Sequence, residues 1–405
     1  MAGHVVMLLL TLAPVFPPAT GSLKTKLGCH APKSIDGPKS PFTGRRASPS
    51  LQFVSVFTRH GTRGPLGDFP EFPYPLSNVS SWPYGQSQLT MVGRAQAHRL
   101  GAKIRALYNE FLSEDYNEND IKAYSTLTDR TFMTAELFLA GLYPPQEYQL
   151  WDEKFPCQPI PVYPSTLDNI EVVLSPKSCP RFKKAYDGSL SNFEKEFSQN
   201  ITDIMKYVQP YTGLSVDNET MTSLRHSVFN LWEALYCATA EGFPIPDWAQ
   251  NIFRQPLENL IVKLYLAIIS GSDEQIRLFE GMLFQDLIKT MEAKVNGTLN
   301  PDRRFILHSS HDGSLMALQT ILGVLEYESA HLIVDTGSAL IFELHKDPVT
   351  SLEYVQVLFI QGHSADLNPE DINIPGCGSP CEFNKLKKIT EKYYNITDFK
   401  RECLL

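Results

Sequence analysis

Apolar and polar positions alternate in two different rhythms along this chain. Residues 51–58 form a short, β-rich apolar run that ends abruptly in Arg59-His60-Gly61, and they predict a strand. A loop heavy in Pro and Gly follows, up to Gln86. Across residues 88–113 the spacing becomes helical, with Leu100, Ile104, Leu107 and Phe111 recurring on one face. Residues 121–126 predict a second strand. Residues 129–142 predict a helix, with Thr128 as its N-cap and Pro144-Pro145 as its stop. Residues 303–309 predict a third strand, followed by His311-Asp312 and a helix through Leu322. Residues 338–345 and 353–360 suit two later strands, separated by Lys346-Asp347-Pro348.

Three strand-then-helix units imply an α/β sheet. Between them the pattern is helical, over residues 181–197, 222–241, 257–269 and 274–294. The expected fold is α/β: a three-layer core with a mixed central sheet, formed by residues 51–149 and 295–405. A smaller, mainly helical cap is expected as an insertion over residues 150–294.

The composition agrees with a folded chain. Of 405 residues, 43% are hydrophobic and 20% charged, too apolar for a disordered protein. The net charge of −9 excludes a general nucleic-acid binder, because phosphate-backbone affinity needs clustered Lys and Arg. An anionic substrate would need a local basic pocket. Most positive charge near the start lies in residues 22–50, a Pro-, Ser- and Gly-rich stretch that reads as a flexible basic lead-in. Ahead of it, the apolar run 5–12 and Ala19-Thr20-Gly21 read as a signal peptide over residues 1–21. The run is too short to span a bilayer. Five sequons, at Asn78, Asn200, Asn218, Asn296 and Asn395, fit a secretory route, ending outside the cell or in the lysosomal lumen. In such a compartment some of the seven cysteines would form disulfides. Cys377 and Cys381 have a metal-like spacing, but no second close pair accompanies them, so zinc is not expected.

Three segments carry chemistry, and each falls where a predicted strand ends. Ligands gather at such places in open α/β sheets. The first is Arg59-His60-Gly61-Thr62-Arg63-Gly64-Pro65, a histidine flanked by guanidinium groups whose fork matches phosphate geometry. From residue frequencies, R-H-G-x-R-x-P arises by chance in a chain this long on the order of one time in ten thousand. The second is Thr128-Asp129-Arg130-Thr131, which puts Arg130 near a helix N-terminus, where backbone N–H groups favour anions. The third is His308-Ser309-Ser310-His311-Asp312-Gly313.

Together these residues resemble the histidine acid phosphatases, the branch of the histidine phosphatase superfamily that contains prostatic and lysosomal acid phosphatases. The resemblance covers most of residues 51–405. It extends to Gln88-Leu89-Thr90-x-x-Gly93-x-x-Gln96 and to Cys179-Pro180-Arg181-Phe182. It implies that His60 is a nucleophile that becomes phosphorylated. Arg59, Arg63, Arg130 and His311 would bind phosphate, and Asp312 would protonate the leaving group. It also implies disulfides between Cys179 and Cys403 and between Cys377 and Cys381. Cys237 matches another half-cystine of the family, but its usual partner position is occupied by Ala330. Cys237 is therefore either a buried thiol or paired with Cys157.

The expected activity is hydrolysis of a small phosphomonoester or phosphoprotein through phospho-His60, without cofactor or metal and with an acidic optimum. Two other readings stand beside it. One is a narrower phosphatase for inositol polyphosphates or lysophospholipids, against which the loop 66–86 argues with Asp68, Glu71 and no Lys or Arg. The other is a non-catalytic glycoprotein on the same fold. Homodimers are common in the family, and no membrane span or nucleic-acid partner is expected. The aromatic residues Phe69, Phe72, Tyr74, Trp82 and Tyr84 either pack beneath their loop or rim the site. The remaining histidines, His98, His226, His331, His345 and His363, read as structural or surface residues.

Overall fold

The computed structural model describes residues 46–152, 154, 157–325 and 334–404. The signal peptide, most of the lead-in, Cys29, Ala330 and His331 lie outside the described residues. In chain order the elements are β1 (Leu51–Arg59), α1 (Met91–Tyr108), β2 (Ile121–Ser125), α2 (Asp129–Leu142), β3 (Tyr163–Pro164) and α3 (Ile170–Leu174). Then come α4 (Pro180–Thr212), α5 (Met221–Ala240), α6 (Asp247–Gln250), α7 (Asn259–Ser270) and α8 (Asp273–Val295). The chain closes with β4 (Phe305–Ser310), α9 (Asp312–Ile321), β5 (Ala339–Lys346), β6 (Glu353–Ile360), β7 (Glu370–Ile372), β8 (Cys381–Glu382), α10 (Phe383–Tyr394) and α11 (Phe399–Glu402).

One mixed sheet runs in the order β3-β2-β4-β1-β5-β6-β7, with β8 also on β6. Strands β3, β2, β4 and β1 are parallel, and β5 to β8 run antiparallel to their neighbours. β1 is buried on both faces, which is why it reads as a continuous apolar run. Phe53 and Phe57 enter the layer formed with α8, α9 and α10, while Val54 and Val56 face α1 and α2. A register shift between Leu51 and Phe53 turns Leu51 to the α1/α2 side. A three-layer α/β core therefore surrounds a mixed sheet, as the sequence pattern predicts.

A separate apolar cluster joins α4, α5 and α7 around Trp232, Leu231 and Val208. α8 packs with the sheet instead, through Phe279, Leu283, Phe284 and Ile288. The stretch between β3 and β4 thus feeds two cores, one helical and one on the sheet.

Helix boundaries differ from the sequence pattern where caps decide them. α1 begins at Met91 because the Thr90 side chain accepts from Gly93 N, at 3.1 Å. Thr128 precedes α2 in extended conformation, but its hydroxyl meets Thr131 Oγ1 at 2.8 Å rather than a backbone N–H. α4 continues fifteen residues beyond Phe197, because Ile201, Ile204, Met205 and Val208 extend the buried stripe; Gly213 at φ 70° stops it. α10 hides in a lysine-rich segment, with Phe383, Leu386, Thr390 and Tyr393 buried at helical spacing.

Among the described residues two disulfides are present, Cys179–Cys403 and Cys377–Cys381. The first ties the start of α4 to the end of α11 across 224 residues. All five sequon asparagines are exposed. Among the described residues no helix is long and apolar enough to cross a membrane.

Candidate active site

The parallel strands β2, β4 and β1 lie side by side and end on the same edge. β1 delivers Arg59 and His60, and β4 delivers His311 and Asp312. Arg59 is in register with Ser310, so the two signature segments emerge as neighbours. His60 N donates to Ser310 O at 3.0 Å. The His60 and His311 rings then meet edge to face, 5.6 Å between centroids. α2 starts directly after β2 and brings Arg130. Gly61 lets the loop press against α1: a Cβ there would lie 2.3 Å from the Gly93 carbonyl. Gly61 N donates to Thr134 Oγ1 at 3.2 Å, which fixes the loop to α2.

His60 is buried. Its Nδ1 lies 2.9 Å from Gly61 O. A carbonyl only accepts, so Nδ1 carries the proton and Nε2 keeps its lone pair. Burial first, then the charges of Arg130, Arg59 and Arg63, hold the ring well below the ordinary histidine range. His60 is thus a neutral imidazole among cations.

Each arginine is fixed by the protein. Arg59 donates from Nη1 to Val334 O and to Tyr236 Oη, at 2.5 and 3.2 Å, and pairs through Nη2 with Asp312 Oδ2 at 2.9 Å. Arg63 forms a buried ion pair with Glu233 and donates to Gly64 O at 3.0 Å. Arg130 donates to Ser87 Oγ at 2.9 Å. Burial and then Arg63 pull Arg130 down to about 10, still cationic at neutral pH. The Nε–H groups of Arg59, Arg63 and Arg130 are all buried without a protein acceptor. Buried donors of this kind are costly unless a ligand oxygen takes them.

Asp312 opens α9. Its Oδ1 accepts from Gly313 N at 2.8 Å, and Tyr265 Oη lies 3.4 Å from Oδ2. Burial pushes its carboxyl up, but Arg59, His311, the Gly313 N–H and Arg63 outweigh that, and it sits below the usual carboxylate value. His311 Nε2 bonds to Thr126 Oγ1 at 2.9 Å, and burial followed by Arg130 lowers it to about 3. The six signature residues therefore converge. His308 does not join them: it is stacked between Phe57 and Tyr124, at 4.5 and 5.5 Å, as a core residue.

Several contributors had escaped the sequence reading. Glu233 and Tyr236 come from α5 and Tyr265 from α7, far from any motif. Glu233 was the readable one, an acid inside the apolar run Leu231-Trp232-Glu233-Ala234-Leu235. Cys237, one turn on, is a buried thiol rather than a partner of Cys157; it donates to Glu233 Oε1 at 3.2 Å. The aromatic loop packs instead of rimming the site. Phe69, Phe72 and Trp82 are buried in the helical cluster, Tyr74 bonds to Pro244 O, and Tyr84 stacks under Arg94.

Arginines held around a neutral histidine at the strand ends of an open α/β sheet define an oxyanion-binding α/β protein. The family follows from comparison. Residues 50–360 match the model of the histidine phosphatase superfamily (branch 2), and the chain belongs to that family. It is 30% identical to the prostatic acid phosphatase of Rattus norvegicus over 87% of this chain and 89% of that one. It is 31% identical to the lysosomal acid phosphatase of Homo sapiens, over 88% and 81% of the two. Among solved structures it resembles the phytase from Citrobacter braakii, with TM-score 0.64, 16% identity and coverage of 87% and 99%. It also resembles Hafnia alvei phytase in complex with myo-inositol hexakis sulphate, with TM-score 0.61, 17% identity and coverage of 88% and 98%. At those identities the phytases speak for the fold alone.

Proposed function

We propose that this chain is an acid phosphatase that hydrolyses small phosphomonoesters or phosphoprotein through a phosphohistidine on His60. The observation that carries the reading is the ring state of His60: Nδ1–H is committed to Gly61 O, and Nε2 is free amid three arginines. The phosphoryl oxygens would take the open donors of Arg59, Arg63 and Arg130. His311, whose Nε2 is held by Thr126, has Nδ1 left for the same group. Nε2 of His60 attacks phosphorus in line, and the P–O bond to the alcohol breaks. Asp312 gives its proton to the leaving oxygen. Water then attacks the phosphohistidine with Asp312 as base, releasing phosphate and restoring His60 and the Asp312 proton. Positioning and charge stabilisation supply most of the rate in such transfers.

Asp312 is ionised before substrate arrives, since Arg59 stabilises the carboxylate. A phosphoryl dianion competes for Arg59 and puts negative charge beside Asp312. Both effects raise its affinity for a proton, so the acid is armed as substrate binds.

The names of the relatives support the acid-phosphatase reading over an inositol-polyphosphate enzyme, as does the acidic loop with Asp68 and Glu71. The lysosomal relatives and the exposed sequons support a glycosylated protein, secreted or in the lysosomal lumen, made with the signal peptide 1–21. Residues 51–149 and 295–405 would form the catalytic core together with β3 and α8, and the remaining helices of residues 150–294, α4, α5 and α7 above all, its mainly helical cap. The test is hydrolysis of p-nitrophenyl phosphate near pH 5 with EDTA present, by wild type and His60→Ala. Rapid alkaline quenching of wild type with radiolabelled substrate should trap label on His60, because the P–N bond of phosphohistidine survives base and not acid. Activity that persists in His60→Ala would sink the proposal.

A further inference from the structure

Behind the His311-Asp312 turn lies a pair of acids that the catalytic scheme does not use. Asp168, in the loop before α3, reaches the end of β4 and the first turn of α9. Its Oδ2 accepts from Ser310 Oγ and from Ser314 Oγ, the latter at 3.1 Å, and its Oδ1 accepts from Ile170 N at 3.2 Å. These two serines bracket His311 and Asp312. Glu280 of α8 lies against the same carboxyl, fully buried, and neither of its oxygens receives a hydrogen bond from the protein. Ser314 lies beside Glu280 as well, but its hydroxyl proton is committed to Asp168.

Two facing carboxylates cannot bond to each other, whereas an acid and a carboxylate can. Asp168 has three donors and is satisfied as an anion. Glu280 has none and is satisfied only as a donor. We propose that Glu280 holds a proton and donates it to Asp168, and that this acid–carboxylate pair positions the turn carrying His311 and Asp312 and makes the fold favour acidic medium.

The charges around the pair agree. The charge that faces Glu280 is that of Asp168, and burial and Asp168 together push Glu280 well above the ordinary range. Burial also raises Asp168, against its three donors. On β4, His308 is neutral, and Asp312 on α9 is paired with Arg59. Cations on α8 and α10 are engaged elsewhere, Arg277 with Glu402, Lys387 with Glu292 and Lys392 with Asp273. On α3, Glu171 is exposed.

The sign follows from proton counting. In the unfolded chain Glu280 ionises near its ordinary value; in the fold it stays protonated to higher pH. The fold therefore binds more protons, and stability falls as pH rises above the ordinary glutamate range. Once the pair loses its proton, two buried anions repel and the turn loosens.

Two variants test this. Glu280→Gln replaces the acid by an amide that donates at every pH. Its melting temperature should stay near that of wild type at pH 5 and exceed it increasingly toward pH 8. A difference that does not change with pH overturns the acid–carboxylate pair, whatever the protein catalyses. Asp168→Ala removes the anchor of both serines. This arm rests on the phosphatase reading: kcat on alkyl phosphates should fall at least tenfold with KM little changed, and Asp168→Asn should restore part of it. Unchanged kcat, or a loss confined to KM, overturns the positioning role. Should Asp168→Ala fail to fold, Asp168→Asn and Glu280→Gln still decide.

Discussion

Replacing Asp312 by Asn should weaken catalysis and tighten anion binding at once. In the free protein the Asp312 carboxylate is held 2.9 Å from Arg59 Nη2, and its proton affinity lies below the ordinary value of 3.8. A dianion entering among Arg59, Arg63 and Arg130 meets that carboxylate as a like charge unless it takes a proton. At pH 5 an acid below 3.8 is protonated in fewer than about one molecule in ten, so binding carries a penalty of at least about tenfold. The penalty grows about tenfold per pH unit until the bound-state value is reached. Asn carries no such penalty. Sulfate suits the assay because it stays a dianion throughout. Its inhibition constant should be at least about tenfold lower for Asp312→Asn than for wild type at pH 5. Between pH 5 and 7 the slope of log Ki against pH should be shallower in the variant by one proton. Turnover should fall about 10²- to 10⁴-fold on alkyl phosphates and far less on p-nitrophenyl phosphate, whose leaving group needs little protonation. Equal slopes in the two proteins would refute proton uptake by Asp312. Equal losses on the two substrates would refute its role as the acid.

Glu233→Ala should leave the buried Arg63 charge without its partner and cost about 3–5 kcal/mol, read by urea unfolding; a loss under about 1 kcal/mol would contradict the pairing. Saturating sulfate should recover part of that loss, since the anion supplies the missing charge. Gly61→Ala puts a methyl group 2.3 Å from the Gly93 carbonyl, so the loop must shift. It should cost about 1–3 kcal/mol and nearly all activity, whereas full activity would show that the contact yields easily. Cys237 should be alkylated only after unfolding, without any reductant; a native-state mapping that finds it disulfide-linked would overturn the thiol seen beside Glu233.

Much of the core was legible because its signals are local. A continuous apolar run marks β1, a second apolar run beyond Lys346-Asp347-Pro348 marks β6, and a polar cap followed by apolar positions at helical spacing marks α2. The motif residues could be read because three chemically unusual segments each sit at a strand end. What supports them could not. Glu233 acts on Arg63 across 170 residues, and Tyr265 acts on Asp312 across 47; such partnerships depend on how the helical cluster folds over the sheet. Asp168 and Glu280 look like ordinary surface acids in sequence, and only the tertiary structure buries one against the other. The same holds for α10, whose lysines mask a buried stripe, and for the aromatic loop, whose rings turn inward because α5 and α7 offer a surface to cover.

The pairing of β1 with β4 also sets a timetable for synthesis. β1 ends at Arg59, β4 begins at Phe305, and β5, on the other side of β1, comes later still. At ordinary translation rates the ribosome needs roughly 10–50 s to traverse that interval. Throughout it, a strand destined for the centre of the sheet has neither neighbour. His60 lacks His311 and Asp312 for the same period. The strand edge that gathers His60, His311 and Asp312 thus closes only when the last parallel strand slides in beside the first.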